Sequence, residues 1–258
     1  IAVKFLSGQA ALDKARFLRE AQLSAQLKHP HIISVYETGE IDRRAYIAME
    51  YVEGRTLDAC ALPIKKILDA MATAAEAVHE AHAHGVIHRD LKPQNLMMDS
   101  HTGRVFVMDF GLALQVEAPS QMSLSGSILG TPAYMSPEQA RGEHKLDARS
   151  DVYSLGATLY ALLTKRPPVA GEAVLEVIQN VAEGRVIPPR RRNPKIPAEV
   201  EVIVLKAMEL EPARRYATAK DLAEDLRRFL DGEPILARPA STVYRLRKKL
   251  VKHRGVAL

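Results

Sequence analysis

The sequence predicts an α+β protein in which strands come first and helices follow. Short runs that alternate or stay apolar, bounded by turn residues, crowd the first 52 residues. From Ile64 onward, apolar residues recur at helical spacing over long stretches. One stretch, from Val152 to Leu163, is apolar on most sides, which marks a buried helix. With 258 residues, 47% of them apolar, the chain can bury a core as one large domain or as two lobes.

Taken in order, Ile1–Leu6 reads as a strand with one charge, Lys4, near its middle. Residues from about Ala11 to Leu27 follow a helical pattern, with Leu12, Ala15, Leu18 and Ala25 on shared faces. His29-Pro30-His31 ends it, because proline disfavours helix before it. No third ligand sits near these histidines at a metal-binding spacing, so they read as turn residues. Ile32–Thr38 and Arg44–Val52 read as an antiparallel strand pair joined by a turn over Gly39–Arg43. Ile64, Ile67, Leu68, Met71, Ala74, Ala75, Val78 and Ala81 form a helical stripe over Ile64–His84, and Gly85 is a fitting stop. His79, His82 and His84 read as the polar end of that helix. Leu96–Met98 and Val105–Met108 are two short strands of a hairpin. Leu112–Leu129 is polar and serine-rich with little periodicity, and a loop of that length is usually functional or disordered. Ser150-Asp151 reads as the cap of the buried helix, which Pro167-Pro168 ends. Further helices are expected near Glu172–Glu183, Ala198–Leu210 and Thr218–Leu230.

Cys60 is the single cysteine, so no internal disulfide forms and a reducing compartment is expected. It lacks Cys or His neighbours and reads as a passive thiol. The net charge is +5, concentrated in Arg190-Arg191-Arg192 and in Arg238–Arg254. These charges lack the interleaved aromatic series of a base-stacking platform, so an anionic membrane surface fits them better than nucleic acid. No apolar run reaches membrane-span length and no signal peptide opens the chain. The first residue is isoleucine, which predicts a start inside a longer protein.

The chemistry concentrates in His88-Arg89-Asp90-Leu91-Lys92-Pro93-Gln94-Asn95, followed by Asp109-Phe110-Gly111. Asp90 offers a base, Lys92 a fixed cation, and Asn95 and Asp109 oxygen ligands. A base that accepts a hydroxyl proton needs a cation on the phosphate being transferred and a hard-oxygen site for magnesium. In this the chain resembles the catalytic domain of eukaryotic-type (Hanks-type) Ser/Thr protein kinases, bacterial subgroup.

The resemblance implies a two-lobe protein kinase fold. A small antiparallel-sheet lobe with one helix would cover about 1–52, a mainly helical large lobe 53–231, and a basic juxtamembrane-like tail 232–258. It implies ATP and Mg2+, with Asp90 as base, Lys92 on the transferred phosphate, and Asn95 and Asp109 on the metal. Ile1-Ala2-Val3-Lys4 resembles the strand that lays Ala2 beside the nucleotide and sends Lys4 to the phosphates, with Glu20 pairing to Lys4. Met49–Gly54 resembles the hinge: Met49 the gatekeeper, Glu50 and Val52 backbone contacts to adenine, Met97 beneath the ring. Gly130–Glu138 resembles the substrate-docking loop, with Ser136-Pro137-Glu138 where the family has Ala-Pro-Glu. There Thr131 would contact Asp90 and Lys92. Asp151 would anchor the catalytic loop and Arg215 would pair with Glu138. Arg89 would receive a phosphoserine at Ser123 or Ser125.

Protein substrates follow from the resemblance, and it accommodates a homodimer for autophosphorylation. It places the chain as a cytoplasmic domain of a membrane-anchored protein. The family's Gly-rich loop, which precedes the lysine strand, is absent from the sequence. A chain that continues upstream accounts for this; the rival is a pseudokinase-like binding or scaffold module. A third reading, a nucleic-acid or acidic-surface binder, rests on the basic tail alone.

Overall fold

Among the described residues six strands pair into two antiparallel sheets, and helices pack around one buried helix. The computed structural model describes residues 1–5, 21, 25–42, 44–110 and 132–237. The first sheet has the order β1-β3-β2, from β1 (Ala2–Phe5), β2 (Val35–Ile41) and β3 (Arg44–Met49). Its register sets Ala2 against Met49 and Lys4 against Ile47. Ala45 and Ile47 face inward against Ala21, and that small cluster backs the sheet.

The strand expected over Ile32–Thr38 starts later and runs further. Ile41 pairs with Arg44, so Gly39–Ile41 belong to β2 rather than to the turn. Ile32 and Ile33 leave this sheet for the other. Ile33 N–H donates to the Val107 carbonyl at 3.0 Å, and Val107 N–H donates to the His31 carbonyl at 2.8 Å. Both isoleucines are buried there, which an edge of the half-exposed first sheet would not give them. The strand expected to reach Val52 stops at Met49.

The second sheet is β4 (Gly54–Thr56), β5 (Leu96–Asp99) and β6 (Val105–Val107), in that order. The β5–β6 hairpin follows the sequence expectation; β4, three residues long, was not foreseen.

The helices are α1 (Ile64–Ala83), α2 (Pro137–Ala140), α3 (Ala148–Thr164), α4 (Val174–Ala182), α5 (Pro189–Arg192), α6 (Ala198–Ala207) and α7 (Ala219–Leu230). The apolar stripe of α1 is buried from Ile67 to Ala81, and the chain turns off it at Gly85 with φ of 75°. Helix α3 is the hub: every residue from Ser150 to Leu163 is buried. Its N-cap is Asp147, whose carboxylate accepts from Arg149 N–H at 2.7 Å. Ser150 and Asp151, expected as the cap, lie one turn inside. With Asp147 capping the helix, their side chains are left for tertiary bonds. Thr218 and Asp221 close a reciprocal capping box at the start of α7.

Beyond Asp231 the chain stays packed as far as Ala237. Ile235 is buried, and the buried carboxylate of Asp225 accepts from Tyr216 Oη, Leu236 N–H and Ala237 N–H. Among the described residues no helix is long and apolar enough to cross a membrane. The helix expected over 11–27 and the loop over 112–129 lie largely outside the described residues.

Helices α3 and α6 touch at Gly156. A Cβ built there would meet Ala207 Cβ at 2.8 Å and Met208 Cγ at 2.9 Å. Alanine favours a helix over glycine by about 1 kcal/mol, but overpacking a close crossing costs about 1–3 kcal/mol. Gly156→Ala is therefore expected to lower the urea midpoint of unfolding, against its helix propensity.

Candidate active site

The segment between α1 and β5 carries the site, and its shape follows from a buried acid. Asp151 is 0% exposed in α3. Its carboxylate accepts from His88 N–H at 2.7 Å, Arg89 N–H at 2.8 Å and His82 Nε2 at 2.7 Å. Burial would push the Asp151 carboxyl up; the bond and charge of His82, helped by His88, bring it below its usual value. His88 is also fully buried. Its Nε2 donates to the Met108 carbonyl at 2.8 Å and its Nδ1 accepts from Asp90 N–H at 3.3 Å, which fixes the tautomer. The ring packs on Phe110 with centroids 4.7 Å apart. One imidazole thus ties the loop of Asp90 to the segment of Asp109.

Asp90 sits among donors. Lys92 Nζ lies 2.7 Å from Asp90 Oδ2, and Asn95 Nδ2 lies 3.1 Å from the same oxygen and 2.7 Å from the Asp90 carbonyl. With Nδ2 so committed, Oδ1 is the atom Asn95 has for a metal. Met108 N–H donates to the Asn95 carbonyl at 2.9 Å, so the hairpin sets Asn95 beside the residue that precedes Asp109. Lys4 Nζ is 2.8 Å from Asp109 Oδ2, the two side chains 43% and 24% exposed. The strand lysine and the second acid thus meet at one spot. Asp109 and Arg89 both hold left-handed backbone, with φ of 60° and 68°. Such conformations are costly outside glycine and persist where surrounding bonds enforce them.

Beside this pair lies an apolar floor. Ile33, Val52 and Phe106 are buried together, with Met49, Met97 and Met108 packed on them. Glu50 N–H donates to the Ser34 carbonyl at 2.8 Å, so the Glu50 carbonyl is what that residue has to offer a ligand. Ala2 lies across the sheet from Met49.

The docking-loop end is held by Glu138. Arg215 grips it with two bonds of 2.7 Å, Nη1 to Oε1 and Nη2 to Oε2, and Ser150 Oγ adds a third at 2.8 Å. The two side chains of this ion pair are 0% and 6% exposed. Burial would push the Glu138 carboxyl up; Arg215, with the local backbone and Ser150, brings it below its usual value. Glu20, Ser123, Ser125 and Thr131 lie outside the described residues, and so does the expected Lys4–Glu20 pair. Sequence reasoning missed three supports: His82, read as a polar helix end; Ser150, read as a cap; and Gln139, whose Nε2 donates to the Arg89 carbonyl at 2.9 Å. A Ser-x-x-Gln box at 136–139 was the available signal for the last.

The strand-rich and helix-rich regions meet at Asp90, the Lys4–Asp109 pair and a hydrophobic floor, which is the arrangement of the two-lobe protein kinase fold. The protein kinase domain model matches residues 1–226. The serine/threonine-protein kinase PknB of Mycobacterium leprae is 42% identical over 246 residues, which are 91% of this chain and 39% of that protein. The serine/threonine-protein kinase PrkC of Bacillus subtilis is 39% identical over 241 residues, 90% of this chain and 37% of that protein. The solved Mycobacterium tuberculosis PknI kinase domain superposes with a TM-score of 0.69 at 28% identity, over 89% of this chain and 84% of that one. The chain belongs to the protein kinase domain family. Its similarity is to bacterial Ser/Thr kinases, and it spans well under half the length of the curated relatives quoted.

Removing one partner of a buried ion pair typically costs about 3–5 kcal/mol. Arg215→Met is expected to lose stability on that scale in chemical denaturation. Because the folded-state pKa of Glu138 is depressed, its contribution is present above the unfolded carboxylate value. It is lost as pH falls through the lower folded value. Glu138→Gln should therefore flatten the acid limb of a stability–pH curve.

Proposed function

We propose that this domain transfers the γ-phosphate of ATP to serine or threonine hydroxyls of proteins. The observation that carries this reading is the Asp90 carboxylate held by Lys92 and Asn95, with Asn95 bonded next to the Lys4–Asp109 pair. Asp90 orients the attacking hydroxyl and accepts its proton. Lys92, already on Asp90, shares its charge with the phosphoryl oxygens. Asn95 Oδ1 and the Asp109 carboxylate are hard oxygen donors, the donor set magnesium prefers. When bound with ATP, Mg2+ supplies neutralisation of the phosphate charge. Lys4 binds phosphate oxygens, with Glu20 as its orienting partner. Ala2, Met49, Val52 and Met97 hold adenine, and Glu50 and Val52 offer it backbone groups. Glu138, Arg215 and Asp151 are structural.

In this reading the catalytic domain covers 1–231, its small lobe ending near residue 52, and the basic 232–258 lies near an anionic membrane on the cytoplasmic side. A homodimer would serve autophosphorylation. Regulation passes through Arg89. Its Nε is buried without a hydrogen-bond partner among the described residues, and a phosphoserine at Ser123 or Ser125 would bring an anion with several acceptor oxygens.

Radiolabelled transfer from ATP-magnesium in the full-length protein tests the activity. Asp90→Asn is expected to lower turnover ~100- to 10,000-fold while ATP affinity holds, and Lys4→Met to weaken ATP binding without unfolding. A wild-type protein that binds ATP and transfers nothing would favour the scaffold reading. Mass spectrometry after incubation with ATP-magnesium is expected to find phosphate between Gln115 and Leu129. An active protein without it removes the regulatory role of Ser123 and Ser125.

A further inference from the structure

Gln139 is the last residue of a Ser-x-x-Gln capping box on α2. Its Oε1 accepts from Ser136 N–H at 2.9 Å and from Ser136 Oγ at 3.1 Å. A glutamate serves that box equally well, so the helix alone does not require an amide. What the amide adds is Nε2, which donates to the Arg89 carbonyl at 2.9 Å. That carbonyl belongs to the peptide bond joining Arg89 to Asp90.

The peptide is held at both ends. Its carbonyl takes Gln139 Nε2, and its N–H goes to His88 Nδ1 at 3.3 Å. The preceding peptide donates through Arg89 N–H to Asp151 Oδ1 at 2.8 Å. Arg89 at φ of 68° has a conformation worth roughly 1–3 kcal/mol of strain, which the surroundings must enforce. Two elements supply that enforcement: Asp151 from α3 and Gln139 from α2. The second of these begins in the docking loop, at Ser136.

We infer that Gln139 is a positioning residue that couples the segment at 132–138 to the Arg89–Asp90 peptide, so that Asp90 is aimed only when Ser136 and its helix are seated. The catalytic half of this inference rests on the proposed phosphoryl transfer; the structural half does not. Gln139→Glu separates the two arms of the side chain. The carboxylate keeps the acceptor for Ser136 and presents no N–H to the Arg89 carbonyl.

In the full-length protein, Gln139→Glu is expected to lower the melting temperature less than Gln139→Ala does and to keep the wild-type KM for ATP. Its kcat should fall ~10- to 100-fold, the scale of a misplaced reacting group. Amide exchange at Arg89 and Asp90 should rise while exchange in α1 and α3 stays as in the wild type. Gln139→Ala, which removes both arms, should show the same kcat and exchange changes per folded molecule, together with a lower melting temperature. Wild-type kcat in Gln139→Glu, or a kcat loss that only follows the folded fraction, overturns the inference. So does unchanged exchange at Arg89 and Asp90. If Gln139→Glu does not fold, the same readings on Gln139→Ala decide. A wild-type protein that transfers no phosphate would sink the activity reading, and amide exchange alone would then judge the coupling.

Discussion

A carboxylate withdrawn from water must be met by donors, and Asp151 is the place where this constraint shapes the domain. Its helix is buried along almost its whole length, so the acid cannot reach solvent. The donors it recruits are backbone N–H groups of His88 and Arg89 and the ring of His82. Those bonds dictate where the catalytic loop runs. They also leave the His88 side chain where it bridges Asp90 to Met108 and packs at a tilt against Phe110. Leaving such a charge without partners would cost several kcal/mol, so the loop conformation and the buried helix are one cooperative unit.

Beside that polar unit the packing is soft. Met49, Met97 and Met108 converge on Ile33, Val52 and Phe106. Methionine is unbranched and polarizable, and it fits flat ligands of varied outline. Rigid hydrogen bonding therefore surrounds Asp90, while adaptable packing forms the apolar floor.

Much of this was legible from residue order. Asp90, Lys92, Asn95 and Asp109 stood out because each carried the neighbours its chemistry needs, and the stripes of α1 and α7 announced helices. What stayed hidden depends on partners far along the chain. His82 looked like any polar residue at a helix end, because Asp151 lies 69 residues away. Ser150 resembled a cap until Glu138 proved to be its acceptor. Gln139 completed a local motif, and its second bond reaches back 50 residues. Ile32 and Ile33 had the pattern of the first sheet, yet burial was better served beside Val107. Three residues of β4 are too few to carry a periodic signal.

The pairing of residues 31–33 with β6 also bears on how the domain is assembled. The hairpin β5–β6 can zip locally, and helices α1 and α7 carry their own periodicity. The outer edge of β6 is satisfied only when the segment at His31–Ile33 arrives, closing a loop of 74 residues. Loop closure of that length costs roughly 4 kcal/mol of chain entropy, and no local contact offsets it in advance. Joining the two sheets should therefore be a late event in folding, rate-sensitive to the length of what lies between them. The Val107 N–H, which donates to the His31 carbonyl, would then be protected later than the N–H groups that close the β5–β6 hairpin.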